Sequence, residues 1–211
     1  MKLQLSTAER KGLMAAIAVR PPSTTAGLES TFGRFRYRDL PGGQIEITDQ
    51  AWVTRNIVEV DVARELPGWP VNSTTGRPQG KLYVHRLIKL PLLLAWRHVR
   101  LNGFDDELRT YDGLWVPRHI LHDRRNPLSV HSWGAAIDLD ARWNGYGVKP
   151  VISQNVVRIF EMFGFAWGGR WHGNPPAAYY SAADGMHVEF CDLAPYLKPR
   201  VWQDSAIRGG V

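Results

Sequence analysis

The amino-acid sequence predicts an α+β fold in which a small antiparallel sheet is flanked by helices. Short segments rich in β-branched residues are mixed with amphipathic helical segments, and they lack the regular strand–helix–strand order that parallel sheets require. Hydrophobic residues make up 44% of the chain and charged residues 22%, which is typical of a soluble globular protein. At 211 residues the chain is long enough for one domain with a proper core and an additional N-terminal element.

Residues 1–75 are predicted to form an N-terminal helix, a linker and strands that wrap the rest of the chain. Ser6 and Glu9 have the spacing of a helix capping box, so a helix is expected over residues 7–19. The two prolines that follow it are expected to end it. The other segments predicted in this part are a linker and loop (21–43), two strands (45–48 and 56–62) and a second loop (66–81).

Residues 76–211 are predicted to form the main domain. A core helix is expected over residues 90–103, with Pro91 in its first turn. A second amphipathic helix, capped by Ser153, is expected over residues 153–164. The tail from residue 197 is expected to be frayed. The strands predicted here are 81–87, 109–117, 134–140 and 185–190.

The charge and the cysteine content restrict the possible partners and metal ligands. The formal net charge is +6, and its basic residues are scattered, without the Lys/Arg-rich run of a nucleic-acid-binding arm. A generally positive surface is therefore expected, which suits an anionic partner. Cys191 is the single cysteine, so no intrachain disulfide forms and any metal must be bound by histidine and carboxylate. No segment is long enough to span a membrane.

The first candidate metal ligands lie in and just before the strand predicted at residues 134–140. Strand alternation puts Asp138 and Asp140 on one face of this strand, and the apolar residues that alternate with them point to the core. Gly134 allows the chain to turn before this strand. We therefore expect His131 and Asp138 to converge on one point.

A second segment adds a histidine on the polar face of another short strand. His187 and Glu189 share this face, while the residues that alternate with them are apolar. Two histidines and one carboxylate make a three-ligand set with a fourth position left for water, which is the layout of a catalytic zinc site. The sequence therefore predicts that His131, Asp138 and His187 bind Zn²⁺.

The residue pattern S-x-H-x-x-G-x-A-x-D, followed by D-x-x-H-x-E, resembles the zinc D-alanyl-D-alanine carboxypeptidase and L-alanyl-D-glutamate endopeptidase family. This family shares a fold with hedgehog signalling domains. The sequences G-F-A-W-G-G-R-W (164–171) and G-L-W-V-P-R (113–118) resemble its phage endolysin branch in particular. The resemblance covers residues 80–192 or thereabouts, and implies a hedgehog/DD-peptidase-like fold for a zinc peptidase domain within residues 76–211.

The resemblance also implies roles for individual residues. His131, Asp138 and His187 match the family's zinc ligands, and Asp184 matches its catalytic carboxylate, which transfers protons during hydrolysis. Arg118 lies near the position of the arginine that polarises the scissile carbonyl, with Arg109 as a rival.

Further residues are expected around this site. Ser129 matches a serine near the substrate, and Trp171 is expected to wall the substrate cleft. Trp133 and Trp167 are further candidates for the cleft wall, with core packing as the alternative, and Trp167 suits the core at least as well as the cleft. Glu189 is expected to accept a hydrogen bond from a ligand histidine or, alternatively, to be a solvated charge. His119 is predicted to be solvated.

The function implied is hydrolysis of peptide bonds in bacterial peptidoglycan, at an L-alanyl–D-glutamate bond or a cross-bridge, by a phage or prophage lysin. A D,D-carboxypeptidase or dipeptidase of the same family and a non-catalytic zinc-dependent wall-binding domain are the alternatives. The expected partner is the peptidoglycan stem peptide, nucleic acid is not expected, and the protein is expected to be a monomer. We expect synthesis in the cytoplasm without a signal peptide, because the N-terminal apolar run is short and preceded by charges, and action at the wall after release.

Overall fold

A computed structural model describes residues 5–171, 180 and 182–192. The α-helices in chain order are α1 (Thr7–Ala18), α2 (Thr25–Phe32), α3 (Gln50–Asn56), α4 (Val62–Glu65), α5 (Arg86–Leu101) and α6 (Gln154–Met162). The strands are β1 (Tyr37–Asp39), β2 (Ile45–Ile47), β3 (Ile57–Asp61), β4 (Val71–Asn72), β5 (Lys81–His85), β6 (Thr110–Gly113), β7 (Ala136–Leu139), β8 (Ala166–Trp167) and β9 (His187–Glu189). The predicted α+β class is confirmed.

The main sheet has five strands in the order β4-β6-β7-β9-β8. The pairs among β6, β7, β9 and β8 are antiparallel, as predicted, whereas β4 adds to the edge in parallel with β6. Residues on the inner face of β7 and β9, such as Ile137 and Val188, are fully or almost fully buried. The apolar alternation predicted from the sequence therefore anchors these two strands in the core.

The chain also forms two smaller antiparallel sheets, one of which joins the N-terminal residues to the rest of the chain. Strands β1 and β2 form a hairpin, and β3 pairs with β5 over five residues. The pairs β3–β5 and β4–β6 both cross the boundary predicted near residue 75. A division of the chain at that residue stays a prediction.

Helix α5 is the central helix, and it packs against α1 and α6. It begins at Arg86 rather than near residue 90, so the predicted start is wrong and Pro91 lies inside the helix. His85 caps the helix, because its Nδ1 accepts the backbone N–H of Leu87 at 3.3 Å. Histidine is not among the usual capping residues, which is why the sequence did not reveal this start.

Residues 21–43 are not the continuous linker and loop that the sequence predicts, because they contain α2 and β1. Leu28 and Phe32 are four residues apart on one face of α2, and both are buried. Thr24 caps the helix by accepting the N–H of Gly27 at 3.2 Å. The packing of this apolar pair outweighs the low helix propensity of the surrounding glycine, serine and threonine residues.

The loop predicted over residues 66–81 is interrupted by the short strand β4, which forms because it pairs with β6, whereas the remaining predicted segments agree with the structure more closely. Helix α1 has the predicted capping box, in which Ser6 and Glu9 each bind the backbone of the other. Among the helices that the structure describes, none has the length and apolar character required to cross a membrane. The predicted tail from residue 197 lies outside the described residues.

Candidate metal centre

Strands β7 and β9 place Asp138 and His187 directly opposite each other in the sheet. His131 comes from the 3₁₀ turn Val130–Trp133, which precedes β7. Gly134 ends this turn in the left-handed region, at φ 66°, and so brings the chain round into the strand. The two segments singled out from the sequence thus meet at one point.

The ligand atoms of these three residues lie close together. His131 Nε2 is 3.2 Å from His187 Nδ1 and 3.2 Å from Asp138 Oδ2. Asp138 Oδ1 is 3.1 Å from His187 Nδ1. Ligands at 2.0–2.1 Å from a tetrahedral zinc ion are about 3.3 Å apart, so the spacing of these donor atoms fits zinc.

The second ring nitrogen of each histidine is also bound. His131 Nδ1 donates to the Leu114 carbonyl at 2.8 Å. His187 Nε2 donates to Glu189 Oε2 at 3.0 Å, and Glu189 is only 2% exposed. These bonds leave His131 Nε2 and His187 Nδ1 directed at the centre, as is usual for metal-binding histidines. This donor arrangement can hold a divalent metal ion.

The charges of the cluster are tightly coupled. Burial acts to raise the pKa of Asp138, but His131 and His187 outweigh it and hold that pKa well below its usual range. Burial acts to lower the pKa of His187, but Asp138 and Glu189 outweigh it and raise that pKa to about 10. The metal-free cluster therefore carries a proton on His187, which a metal ion would have to displace.

Asp184 lies in the approach to β9. Its backbone N–H donates to the Gly168 carbonyl at 3.0 Å, and its carbonyl accepts the N–H of His187 at 3.2 Å. Its Oδ1 is buried and has no hydrogen-bond partner within the described part of the chain. Burial raises the pKa of Asp184, an effect that the charge of His187 opposes. A buried carboxylate with a free oxygen is suited to proton transfer.

Arg118 also lies beside the ligand cluster. Its Nη2 is 3.8 Å from Asp138 Oδ2, and its side chain is largely buried. The rival Arg109 is exposed, and its guanidinium stacks on Trp143 at 4.6 Å from the ring centre. Of these two arginines, the structure places Arg118 at the ligand cluster.

Comparison with known proteins identifies the same segment. Residues 122–190 match a family model described as D-alanyl-D-alanine carboxypeptidase. The match covers about a third of the chain and includes His131, Asp138, Asp184 and His187. No curated protein and no solved structure gives a significant match. The predicted resemblance is confirmed at this level, whereas the endolysin-like branch stays a prediction.

Ser129 is bound within the turn that carries His131. It is 5% exposed, and its Oγ accepts the N–H of His131 at 3.4 Å, so it caps the turn that carries the ligand. Contact between Ser129 and a substrate stays a prediction.

The tryptophans separate into one at the site and two in the core. Trp171 lies beside His187, with ring centres 5.4 Å apart. Trp133 and Trp167 are buried, and their indole N–H groups donate to the carbonyls of Gly33 and Gly185. The core alternative therefore applies to these two residues.

Two residues near the site have structural roles that the sequence did not reveal: Asp140 was placed on the same face as Asp138, and Asn144 was not predicted at all. Asp140 does not face the metal cluster, because it accepts the N–H groups of Arg109 and Thr110, both at 2.8 Å. Asn144 is buried, and its Oδ1 accepts the N–H groups of Val151 and Ile152 at 2.7 and 2.8 Å. The Asn144 carbonyl accepts the N–H of Met186 at 2.9 Å. No sequence signal marks Asn144, because its partners are backbone groups.

Proposed function

We propose that this protein is a zinc metallopeptidase that hydrolyses peptide bonds of bacterial peptidoglycan. One observation carries the proposal. His131, Asp138 and His187 converge on a single point, and the buried carboxylate of Asp184 lies just before the last of them. The match of residues 122–190 to the D-alanyl-D-alanine carboxypeptidase model supports the class of bond.

The chemistry requires a nucleophile and a means of stabilising charge on the scissile carbonyl. Zinc held by His131, Asp138 and His187 would supply Lewis acidity and lower the pKa of a water molecule to about 7. Asp184 would accept the proton of the attacking water and later donate it to the leaving amine. The Arg118 guanidinium would bind the carbonyl oxygen as negative charge develops there. Trp171 would form one wall beside His187.

The substrate that we propose is the peptidoglycan stem peptide, cut at an L-alanyl–D-glutamate bond by a phage or prophage lysin. The net charge of +6 is compatible with approach to an anionic wall. The residue patterns at 113–118 and 164–171 favour this branch. We also propose that the protein acts as a monomer at the wall after release and that it does not use nucleic acid as a partner.

D,D-carboxypeptidase activity is the second candidate, because the matching family model carries that description. The two activities leave different products on purified peptidoglycan. Mass spectrometry that detects a new N-terminal D-glutamate supports the endopeptidase. Free D-alanine without that new terminus rejects the endopeptidase and supports the carboxypeptidase.

Asp184→Asn tests whether the zinc site is catalytic or only binds the wall. The variant removes the proton acceptor but leaves all three ligands, so we expect turnover to fall by about 10²–10⁴-fold with the zinc content unchanged. Asp123→Asn, a change in a partly exposed loop carboxylate that pairs with Arg125, is the matched control. Wild-type lytic activity in Asp184→Asn would refute the role given to Asp184.

A further inference from the structure

The β1–β2 hairpin, residues 37–47, lies alongside the segment that carries Arg118. Ile45 donates its N–H to the Pro117 carbonyl at 3.1 Å, and His119 donates its N–H to the Gly43 carbonyl at 2.8 Å. Gln44 and Arg118 form an antiparallel bridge between these two bonds. The N-terminal hairpin therefore fixes the backbone on both sides of Arg118.

A contact between the side chains of His119, which is buried, and Asp39, which is partly exposed, adds to this attachment. His119 is 5% exposed, so the prediction that it is solvated is wrong. Its Nδ1 is 2.7 Å from the Asn126 carbonyl, and its Nε2 is 2.9 Å from Asp39 Oδ1. Both ring nitrogens thus lie within hydrogen-bond distance of oxygen atoms, so the imidazole is held from two sides. Asp39 also accepts from Arg124 at 2.8 Å.

The other side of Arg118 is bound to the turn that carries a metal ligand. The Arg118 N–H donates to Ser132 Oγ at 2.9 Å, and the Arg118 carbonyl accepts the N–H of Ser129 at 2.9 Å. Both serines flank His131. Arg118 is thus held between the hairpin and the ligand turn, with its guanidinium directed at Asp138.

The hairpin approaches this segment very closely. A Cβ atom on Gly43 would lie 2.1 Å from the His122 carbonyl oxygen, so only glycine fits there. Leu121 and His122 both have positive φ angles, of 54° and 55°. Such conformations persist where surrounding contacts enforce them, and here the hairpin supplies those contacts.

We propose that Asp39 and His119 are positioning residues, which fix the Arg118 guanidinium at the metal centre through the β1–β2 hairpin. This gives the N-terminal residues a part in the reaction without contact with the substrate. The inference rests on the proposed function, in which Arg118 stabilises charge on the scissile carbonyl. Misplacement of a group that acts in this way lowers turnover more than ground-state binding.

The test is a double-mutant cycle with Asp39→Ala and Arg118→Ala in the zinc-loaded full chain. Asp39→Ala should lower kcat on a stem peptide by about tenfold and change KM by less than about twofold, with zinc content unaltered. In the Arg118→Ala background, Asp39→Ala should cause no further loss of kcat. Glu46→Ala, on the same hairpin but paired with Arg38, is the matched control and should leave kcat unchanged. An equal loss of activity in both backgrounds would refute the positioning role.

A readout without catalysis separates this proposal from the proposed function. The Nε–Hε NMR resonance of Arg118, assigned by its loss in Arg118→Lys, should shift in Asp39→Ala and remain in place in Glu46→Ala. An unchanged Arg118 resonance in Asp39→Ala overturns the positioning role, whatever the activity. Zinc-loaded wild-type protein that cleaves no stem peptide overturns the proposed function, and the resonance then decides the positioning role alone.

Discussion

Replacing Glu189 with glutamine should weaken zinc binding about tenfold, because this buried carboxylate orients His187. Glu189 Oε2 accepts from His187 Nε2 at 3.0 Å in a site that is almost closed to solvent. Glutamine keeps an acceptor of the same shape but loses the negative charge, and a charge-assisted hydrogen bond is roughly twice as strong as a neutral one. A loss of about 1.4 kcal/mol corresponds to a tenfold weaker Kd.

Glu189→Ala removes the acceptor altogether and should weaken zinc binding by about 100-fold, the upper end for such partners of a ligand. Competition with a chromogenic chelator measures both dissociation constants. Glu65→Gln, which neutralises a carboxylate that pairs with Lys89 away from the cluster, is the control and should retain wild-type affinity. Wild-type affinity in both Glu189 variants would refute the inference that Glu189 fixes the ligand histidine.

Two further predictions concern protons. Zinc must displace the proton that Asp138 and Glu189 hold on His187. Zinc binding at neutral pH should therefore release about one proton, and zinc affinity should increase as pH rises. Calorimetry in buffers of different ionisation enthalpy measures this release, and a result of no proton released would contradict the prediction. Burial lowers the pKa of His85 to about 4, below its value of 6.5 in the unfolded chain, so the unfolded state takes up the proton first as pH falls. The metal-free protein should therefore lose up to about 3 kcal/mol of unfolding free energy between pH 6.5 and 4. His85→Asn should lose less over the same range, and equal losses in denaturant titrations would argue against this assignment.

Local signals made part of the fold predictable. The capping box of Ser6 and Glu9 and the cap at Ser153 both appear where the sequence indicates them. The alternation of polar and apolar residues also located β7 and β9. These features depend on neighbours within a few positions, which a single sequence contains.

Long-range contacts explain most of what was missed. Helix α2 forms because Leu28 and Phe32 find a core to pack against, not because its residues favour a helix. His119 is buried beside the β1–β2 hairpin, and its side-chain partner Asp39 lies 80 positions away in the chain. Neither the core that α2 packs against nor the contact of His119 with Asp39 can be predicted from the neighbouring residues in the sequence.

The site was more predictable than the fold around it. The positions of His131, Asp138 and His187 followed from strand alternation and the residue pattern, and the structure brings the three together. The backbone partner of His131, the Leu114 carbonyl, carries no side-chain signal. The hydrogen bonds between the hairpin and the residues beside Arg118 also join backbone groups, which carry no side-chain signal. The contacts that hold the ligands and Arg118 in place could therefore be identified only from the three-dimensional structure.

The decisive measurement for peptidoglycan hydrolysis is mass spectrometry of the products that the zinc-loaded protein releases from purified peptidoglycan. We expect new peptide termini with the zinc-loaded wild-type chain, above all an N-terminal D-glutamate, and we expect them to disappear after chelation of the metal. A protein that binds about one zinc ion per chain at His131, Asp138 and His187 and yet releases no new terminus from peptidoglycan would contradict this expectation.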